Sequence, residues 1–216
     1  VVAKSDSQSK RKSGPKVGDP NAGHRYRVQF HKKGPAALLG HLDLVRELPR
    51  IFRRVNVRPV YTGGYNPRPA MTFTPALSLG VSSLDEYVDV RLEPDLDPGN
   101  LADLLASMNA NSPSGLEFRQ GLKLDRATPS LSKKVVAARY ALLFSPSVVR
   151  EHCGEEDPAA WLSKRCAELL DASELVLWRK VKGIGKKIDV RPRIASLAVA
   201  DGQTIGREAM IAGDFV

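Results

Sequence analysis

The sequence predicts an α+β protein made of two tandem ferredoxin-like (split βαβ) units with antiparallel sheets, the second incomplete or altered. Three observations predict it. Between residues 24 and 124 the hydrophobic pattern runs strand, helix, strand, strand, helix, strand. After the polar break Thr128-Pro129-Ser130 and Lys133-Lys134, strand, helix, strand begins again. The alternation within the strands is that of sheets with one covered face. The expected organisation is a basic flexible linker over 1–23, a first domain over 24–127 and a second, partial one over 135–216.

The first 23 residues hold five basic and two acidic residues among Ser, Gly and Pro, a net charge of +3, which is the composition of an arm or linker. His24 to Lys32 sets Tyr26, Val28 and Phe30 against Arg25, Arg27, Gln29 and His31, a strand whose outer face is expected to be basic. Gly34-Pro35 breaks it. From His41, the positions Leu42, Val45, Leu48, Phe52 and Val55 follow helical spacing, with Asp43 at the start and Arg53 and Arg54 at the end, as the helix dipole prefers. Pro49 removes a backbone donor inside this helix, so a kink or a late start is expected. Val57 to Tyr61 reads as the second strand. TGGYNPRPAMTFTPALSLG is then a long Gly/Pro-rich excursion before the strand Glu86 to Leu92. Asn100 is the expected N-cap of a helix over LADLLASM, and Gly115-LEFRQGLKL the fourth strand.

In the second half, ARYALLFSP reads as a strand. PAAWLSKRCAELLDA reads as a helix with Trp161, Leu162, Cys166 and Leu169 inward, and ELVLWRKVK as a strand. Gly183 to Lys187 reads as a turn and QTIGREAMI as a further strand.

The chain has 216 residues, 33 Lys+Arg against 24 Asp+Glu, a net charge of +9 and two cysteines, Cys153 and Cys166, without CxxC spacing. The charge favours polyanionic partners. The cysteines fit a reduced, cytoplasmic protein and not a disulfide scaffold. No apolar run has the length of a membrane span and the N-terminus has no signal-peptide core, so no membrane partner is expected. The Val start and the Phe215-Val216 end read as a piece of a longer chain.

Basic residues gather in three sets: Arg25, Arg27, Lys32 and Lys33; Arg46, Arg50, Arg53, Arg54 and Arg58; and Arg179, Lys180, Lys182, Lys186, Lys187, Arg191 and Arg193, the last with one acid, Asp189. Asp85, Glu86, Asp89, Glu93, Asp95, Asp97 and Asp103 form a separate acidic region. A Gly-rich turn rimmed by lysines suits a phosphate backbone, with Trp178 and Tyr140 as stacking faces or as core residues. In GGYNPRP, Tyr65 and Arg68 either present a stacking ring and a stiffly held cation to a ligand or belong to an ordered crossover. The expected RNA-binding residues are Arg53, Arg54, Arg58, Tyr65, Arg68, Arg179, Lys180, Lys182, Lys186, Lys187, Arg191 and Arg193. His31 and His41 flank the Gly-Pro break and are the candidates for acid and base in RNA cleavage, an analogy with ferredoxin-like endoribonucleases at the level of fold alone. No paired histidines or cysteines have metal-ligand spacing, so no metal site is expected, and no GxSxG elbow occurs.

HLDLVRELPRIFRR, YTGGYNPRPAMTFTPALSLGVSS and EYVDVRL together resemble the radical SAM-linked protein family, bacterial domains of unknown function found beside or fused behind cobalamin-binding radical SAM proteins. The resemblance covers residues 25 to 125 well and the remainder loosely, and its most specific part is GYNPRP followed by LSLGV and EYVD. It implies a radical SAM protein as partner, in cis or in trans, and an association with radical chemistry or RNA metabolism. Two distant cysteines cannot hold a radical SAM cluster. The expectation is no cofactor in this chain, with iron–sulfur cluster, S-adenosylmethionine and cobalamin on the partner. Three functions follow. The first is a non-catalytic accessory domain binding RNA, tRNA or rRNA, or positioning substrate. The others are a protein-interaction domain docking the radical SAM partner and a metal-independent endoribonuclease.

Overall fold

The structure is a computed structural model that describes residues 22–63, 65–93, 101–154, 156–181 and 183–200. The described residues divide into two compact units, 22–138 and 139–200.

In the first unit, β1 (His24–Lys32), α1 (His41–Arg54), β2 (Met71–Phe73), β3 (Ser83–Leu92), α2 (Leu101–Ala110) and β4 (Leu116–Leu124) follow in that order. The strands form one sheet in the order β2-β3-β1-β4, every neighbouring pair antiparallel. This is the split βαβ topology the sequence predicts. Tyr26, Val28 and Phe30 of β1, Val88, Val90 and Leu92 of β3, and Leu116 and Phe118 of β4 bury one face with Leu44, Leu48, Ile51 and Phe52 of α1 and Leu105 and Met108 of α2.

Several details differ from the sequence reading. The stripe of α1 is Leu44, Leu48, Ile51, Phe52, while Leu42 is 65% exposed. Residues 42 and 44 lie about 200° apart on the helix, so only one can face the sheet. Pro49 does not delay α1, which starts at His41, where the Asp43 carboxylate accepts the Gly40 N–H at 2.9 Å. Asn56, at φ 57°, ends the helix in the left-handed conformation asparagine tolerates, and Val57 N–H bonds the Phe52 carbonyl at 2.8 Å.

The second strand is Met71–Phe73, not Val57 to Tyr61, which keeps only the isolated bridges Pro59↔Leu92 and Tyr61↔Pro69. Val60 N–H reaches the Arg91 carbonyl at 2.8 Å and Ala70 N–H the Val60 carbonyl at 2.8 Å. Residues 61–69 therefore loop out of the edge of the sheet and return to it. Proline has no donor for a ladder, and Pro59 and Pro69 stand where this edge is broken.

The face expected to be basic and open is covered. Arg27, Gln29 and Asp89 are buried on it. Past β4 the chain turns back, and the Thr128 carbonyl accepts from Arg25 and the Pro129 carbonyl from Arg27 at 3.2 Å. A short helix, α3 (Leu131–Lys134), then buries Leu131 beside β2 and β3. The segment read as an interdomain break is thus a strap belonging to the first unit. On the edge, Asn109 of α2 bonds both the N–H and the carbonyl of Phe118, at 2.7 and 2.8 Å, occupying polar groups that β4 would otherwise offer to a foreign strand.

In the second unit, α4 (Pro146–Cys153) and α5 (Pro158–Asp171) precede a two-stranded antiparallel hairpin, β5 (Val176–Val181) and β6 (Ile184–Asp189). ARYALLFSP forms no strand: residues 135–145 carry no regular element, and Ser145-Pro146 opens α4 with proline at its first position. The helix α5 lies as predicted, its N-cap Asp157 accepting from Ala160 N–H at 2.9 Å, but Leu169 is exposed and Trp161, Leu162 and Cys166 are half-buried. Ile184 to Lys187 belong to β6, since Val181 pairs with Ile184 and the reversal falls at Gly183, φ 83°. QTIGREAMI, Asn100, Asp95 and Asp97 lie outside the described residues.

Candidate nucleic-acid interface

The hairpin sorts its side chains by strand alternation. Trp178 pairs with Lys187, Lys180 with Gly185, and Arg179 with Lys186. Residues two apart on a strand share a face, so Trp178, Lys180, Gly185 and Lys187 stand on one side and Arg179 and Lys186 on the other. Trp178 is 71% exposed, and the Lys187 ammonium lies 5.4 Å from its ring centre. A Cβ at position 185 would lie 3.4 Å from the indole, an ordinary contact distance, so the Trp178 ring lies beside Gly185. Among the described residues no carboxylate pairs with Arg179, Lys180, Lys186 or Lys187. The one acid of the region, Asp189, accepts the N–H groups of Leu175 at 2.8 Å and Arg191 at 3.0 Å. It closes the base of the hairpin instead of neutralising its tip.

Arg191 is similarly occupied. Its guanidinium donates to the Leu170 carbonyl and, at 3.0 Å, to the Ile194 carbonyl, tying the C-terminal end of α5 to the turn after β6. Arg193 is exposed beside it, and Lys182 lies outside the described residues.

The other predicted residues fall in the first unit. Arg53, Arg58 and Arg68 are exposed, while Arg54 donates to Glu47 at 2.9 Å and to the Asn111 carbonyl at 3.0 Å. Tyr65 stands fully exposed at the head of the 61–69 excursion, which is pinched by Thr62 N–H on the Arg68 carbonyl at 2.7 Å and by Arg68 N–H on Thr62 Oγ1 at 3.2 Å.

Arg27 and Lys32 of the first basic set are structural. Arg27 grips Asp89 through Nε at 2.8 Å and Nη2 at 3.0 Å, and the Lys32 ammonium is buried against the Ala37 and Leu39 carbonyls at 3.3 and 3.0 Å. The acids of β3 are consumed in the same way: Asp85 accepts from Gln29 at 2.8 Å, and Glu86 accepts from Thr74 and from Ser83 at 2.9 Å. The segregated acidic face read from the sequence is, along β3, a set of internal partners. Tyr87 keeps its proton to unusually high pH because its hydroxyl is buried beside the acceptor Asp85.

His31 and His41 stand on opposite sides of the sheet. His31 lies on the strapped face of β1, where burial first, then the charges of Arg119 and Lys33, hold its pKa below the usual value, against the opposing pull of Glu117 and Asp85. His41 is in the first turn of α1, edge-on to Phe73 at 5.2 Å on the helical side. A sheet between the two rings prevents them from sharing one scissile bond. No group of three or more His, Cys, Asp or Glu suited to a metal ion occurs among the described residues. No helix there is long and apolar enough to cross a membrane.

A family described as an uncharacterized protein conserved in bacteria (DUF2344) matches residues 25–214. No curated protein and no solved structure matches the chain.

Proposed function

The chain belongs to the DUF2344 family of proteins conserved in bacteria, and on that premise we propose that it is a cytoplasmic, non-catalytic accessory module that binds RNA. It holds tRNA or rRNA for modification by a radical SAM enzyme acting in cis or in trans. The enzyme carries the iron–sulfur cluster, S-adenosylmethionine and cobalamin, and this chain carries none. The observation that supports the RNA reading is the β5–β6 hairpin, where Lys180 and Lys187 share a face with the exposed Trp178, Arg179 and Lys186 stand on the other face, and none of the four pairs with a carboxylate among the described residues. Lysines and arginines displace counterions from a phosphate chain, and an indole face accepts a base of any sequence. The radical SAM association rests on the resemblance carried by HLDLVRELPRIFRR, GYNPRP and EYVDVRL.

The test is fluorescence anisotropy of labelled tRNA and rRNA fragments at low salt, with the wild type and the pair Lys186→Glu/Lys187→Glu. Binding by the wild type and its loss in the variant support the reading. Wild-type affinity in the charge-reversed protein contradicts it.

One observation favours a second reading. The 61–69 excursion projects Tyr65 from the sheet edge, and a fully exposed aromatic on a pinned loop suits a protein pocket. In that case Tyr65→Ala abolishes capture of the radical SAM partner and leaves RNA affinity unchanged.

A further inference from the structure

We infer that the first unit carries an oxyanion pocket, built by Arg25, Arg91 and Arg126 at one end of the strapped sheet face, that takes a phosphoryl-sized group. The pocket is a cavity of about 130 Å³ whose lining includes these three arginines, His24, Leu124 and Asp125. It lies within the first unit and shares no residue with the hairpin.

The sheet register makes the first argument. Arg25 pairs with Arg91 on β3 and with Leu124 on β4. Directly opposed residues of antiparallel strands share a face, so two guanidinium groups are set side by side. Like charges so placed destabilise a sheet. Elsewhere the same face balances its charges, as in Arg27 opposite Asp89. At Arg25 and Arg91 it does not.

Hydrogen bonding makes the second. The far end of Arg25 is fixed by Nη2, which donates to the Thr128 carbonyl and more weakly to the Asp125 carbonyl at 3.4 Å. Its Nε is buried and has no partner. That nitrogen is closed to the cavity, so the guanidinium's exposed edge is what Arg25 offers to a ligand. Among the described residues no carboxylate pairs with Arg91 or Arg126 either. Three forked cations around one space match the several oxygens of a phosphoryl group better than a single carboxylate.

Size makes the third. A cavity of about 130 Å³ has room for a tetrahedral oxyanion with part of its hydration. The ligand is inorganic phosphate or the terminal phosphate of a larger molecule. Asp125 is the one acid on the lining, and it weakens the site.

The experiment is isothermal titration of the full chain with inorganic phosphate, with sodium chloride at matched ionic strength as control. A 5′-phosphorylated dinucleotide and its 5′-hydroxyl counterpart then compete. The expected result is saturable phosphate binding that chloride does not mimic, lost at least tenfold in Arg91→Gln/Arg126→Gln and strengthened severalfold in Asp125→Asn. Competition by the phosphorylated dinucleotide alone assigns the site to terminal phosphates. Failure of both dinucleotides assigns it to the free anion. Equal heats from chloride, or wild-type affinity in the double variant, overturn the pocket. If the double variant does not fold, Asp125→Asn decides: unchanged or weakened phosphate binding overturns it as well. Lys186→Glu/Lys187→Glu leaves phosphate binding intact, so this site and the hairpin fail independently.

Discussion

Asp89 is buried with Arg27 in a two-point ion pair on the central strands, and no other carboxylate pairs with that guanidinium among the described residues. Removing one member leaves a charge in a low-dielectric site. Asp89→Ala is expected to lower unfolding free energy by about 3–5 kcal/mol, whereas Arg27→Met/Asp89→Leu recovers most of it, because two apolar chains of similar volume avoid the desolvation cost of both ions. Urea titration of the two variants checks this. His31 gives a pH prediction. Burial, Arg119 and Lys33 depress its pKa, so the folded state prefers the neutral ring while the unfolded chain takes a proton near pH 6.5. Stability is therefore full above about pH 6.5 and falls as pH drops from there toward the depressed folded value. His31→Gln should flatten that part of the stability profile, and a wild-type slope in the variant contradicts the assignment.

At the scale of elements, the strap after β4 completes the sheet. The Thr128 and Pro129 carbonyls accept from Arg25 and Arg27, and Leu131 is buried. A first unit ending at residue 127 should be less stable than one ending at residue 138 by several kcal/mol, from the lost hydrogen bonds to charged groups and the lost leucine. Comparison of their urea midpoints tests this. The element order of the first unit was legible in the sequence, because Tyr26, Val28 and Phe30 alternate at period two and α1 repeats near 3.6. The phase of α1 was not: Leu42 and Leu44 are both leucines, and only the sheet beneath selects one. The polar face of β1 looked solvent-exposed because Arg27 and Gln29 are polar. Their partners Asp89, Asp85 and Pro129 lie more than 50 positions away in sequence, beyond any local pattern. ARYALLFSP has the composition of a strand, but β5 and β6 pair with each other, and Tyr140, Leu142, Leu143 and Phe144 remain exposed. The signal for α4, serine before proline at a helix start, was present and outweighed by that composition.

Across the whole molecule, a net charge of +9 is spent unevenly. Arg27, Lys32 and Arg54 bond carbonyls and carboxylates inside the first unit, and Arg191 bonds carbonyls inside the second. The hairpin cations are not spent this way, which separates structural from available charge more sharply than counting basic residues did. Four of the hairpin positions read from sequence, Arg179, Lys180, Lys186 and Lys187, sit with Trp178 on three adjacent rungs, whereas Arg191 is committed to α5. Trp178→Ala should weaken RNA binding by about 1–3 kcal/mol through lost stacking while leaving the salt dependence of binding unchanged, since no charge is removed. Anisotropy titration at two salt concentrations measures both quantities.

The most direct test of the hairpin as an RNA interface is the slope of log affinity against log salt for a labelled tRNA, in wild type and in Lys186→Glu/Lys187→Glu. The account predicts a steep negative slope in the wild type and, in the variant, a slope shallower by about two at greatly reduced affinity. A wild-type affinity that does not change with salt, or a variant whose slope and affinity equal the wild type's, would contradict it.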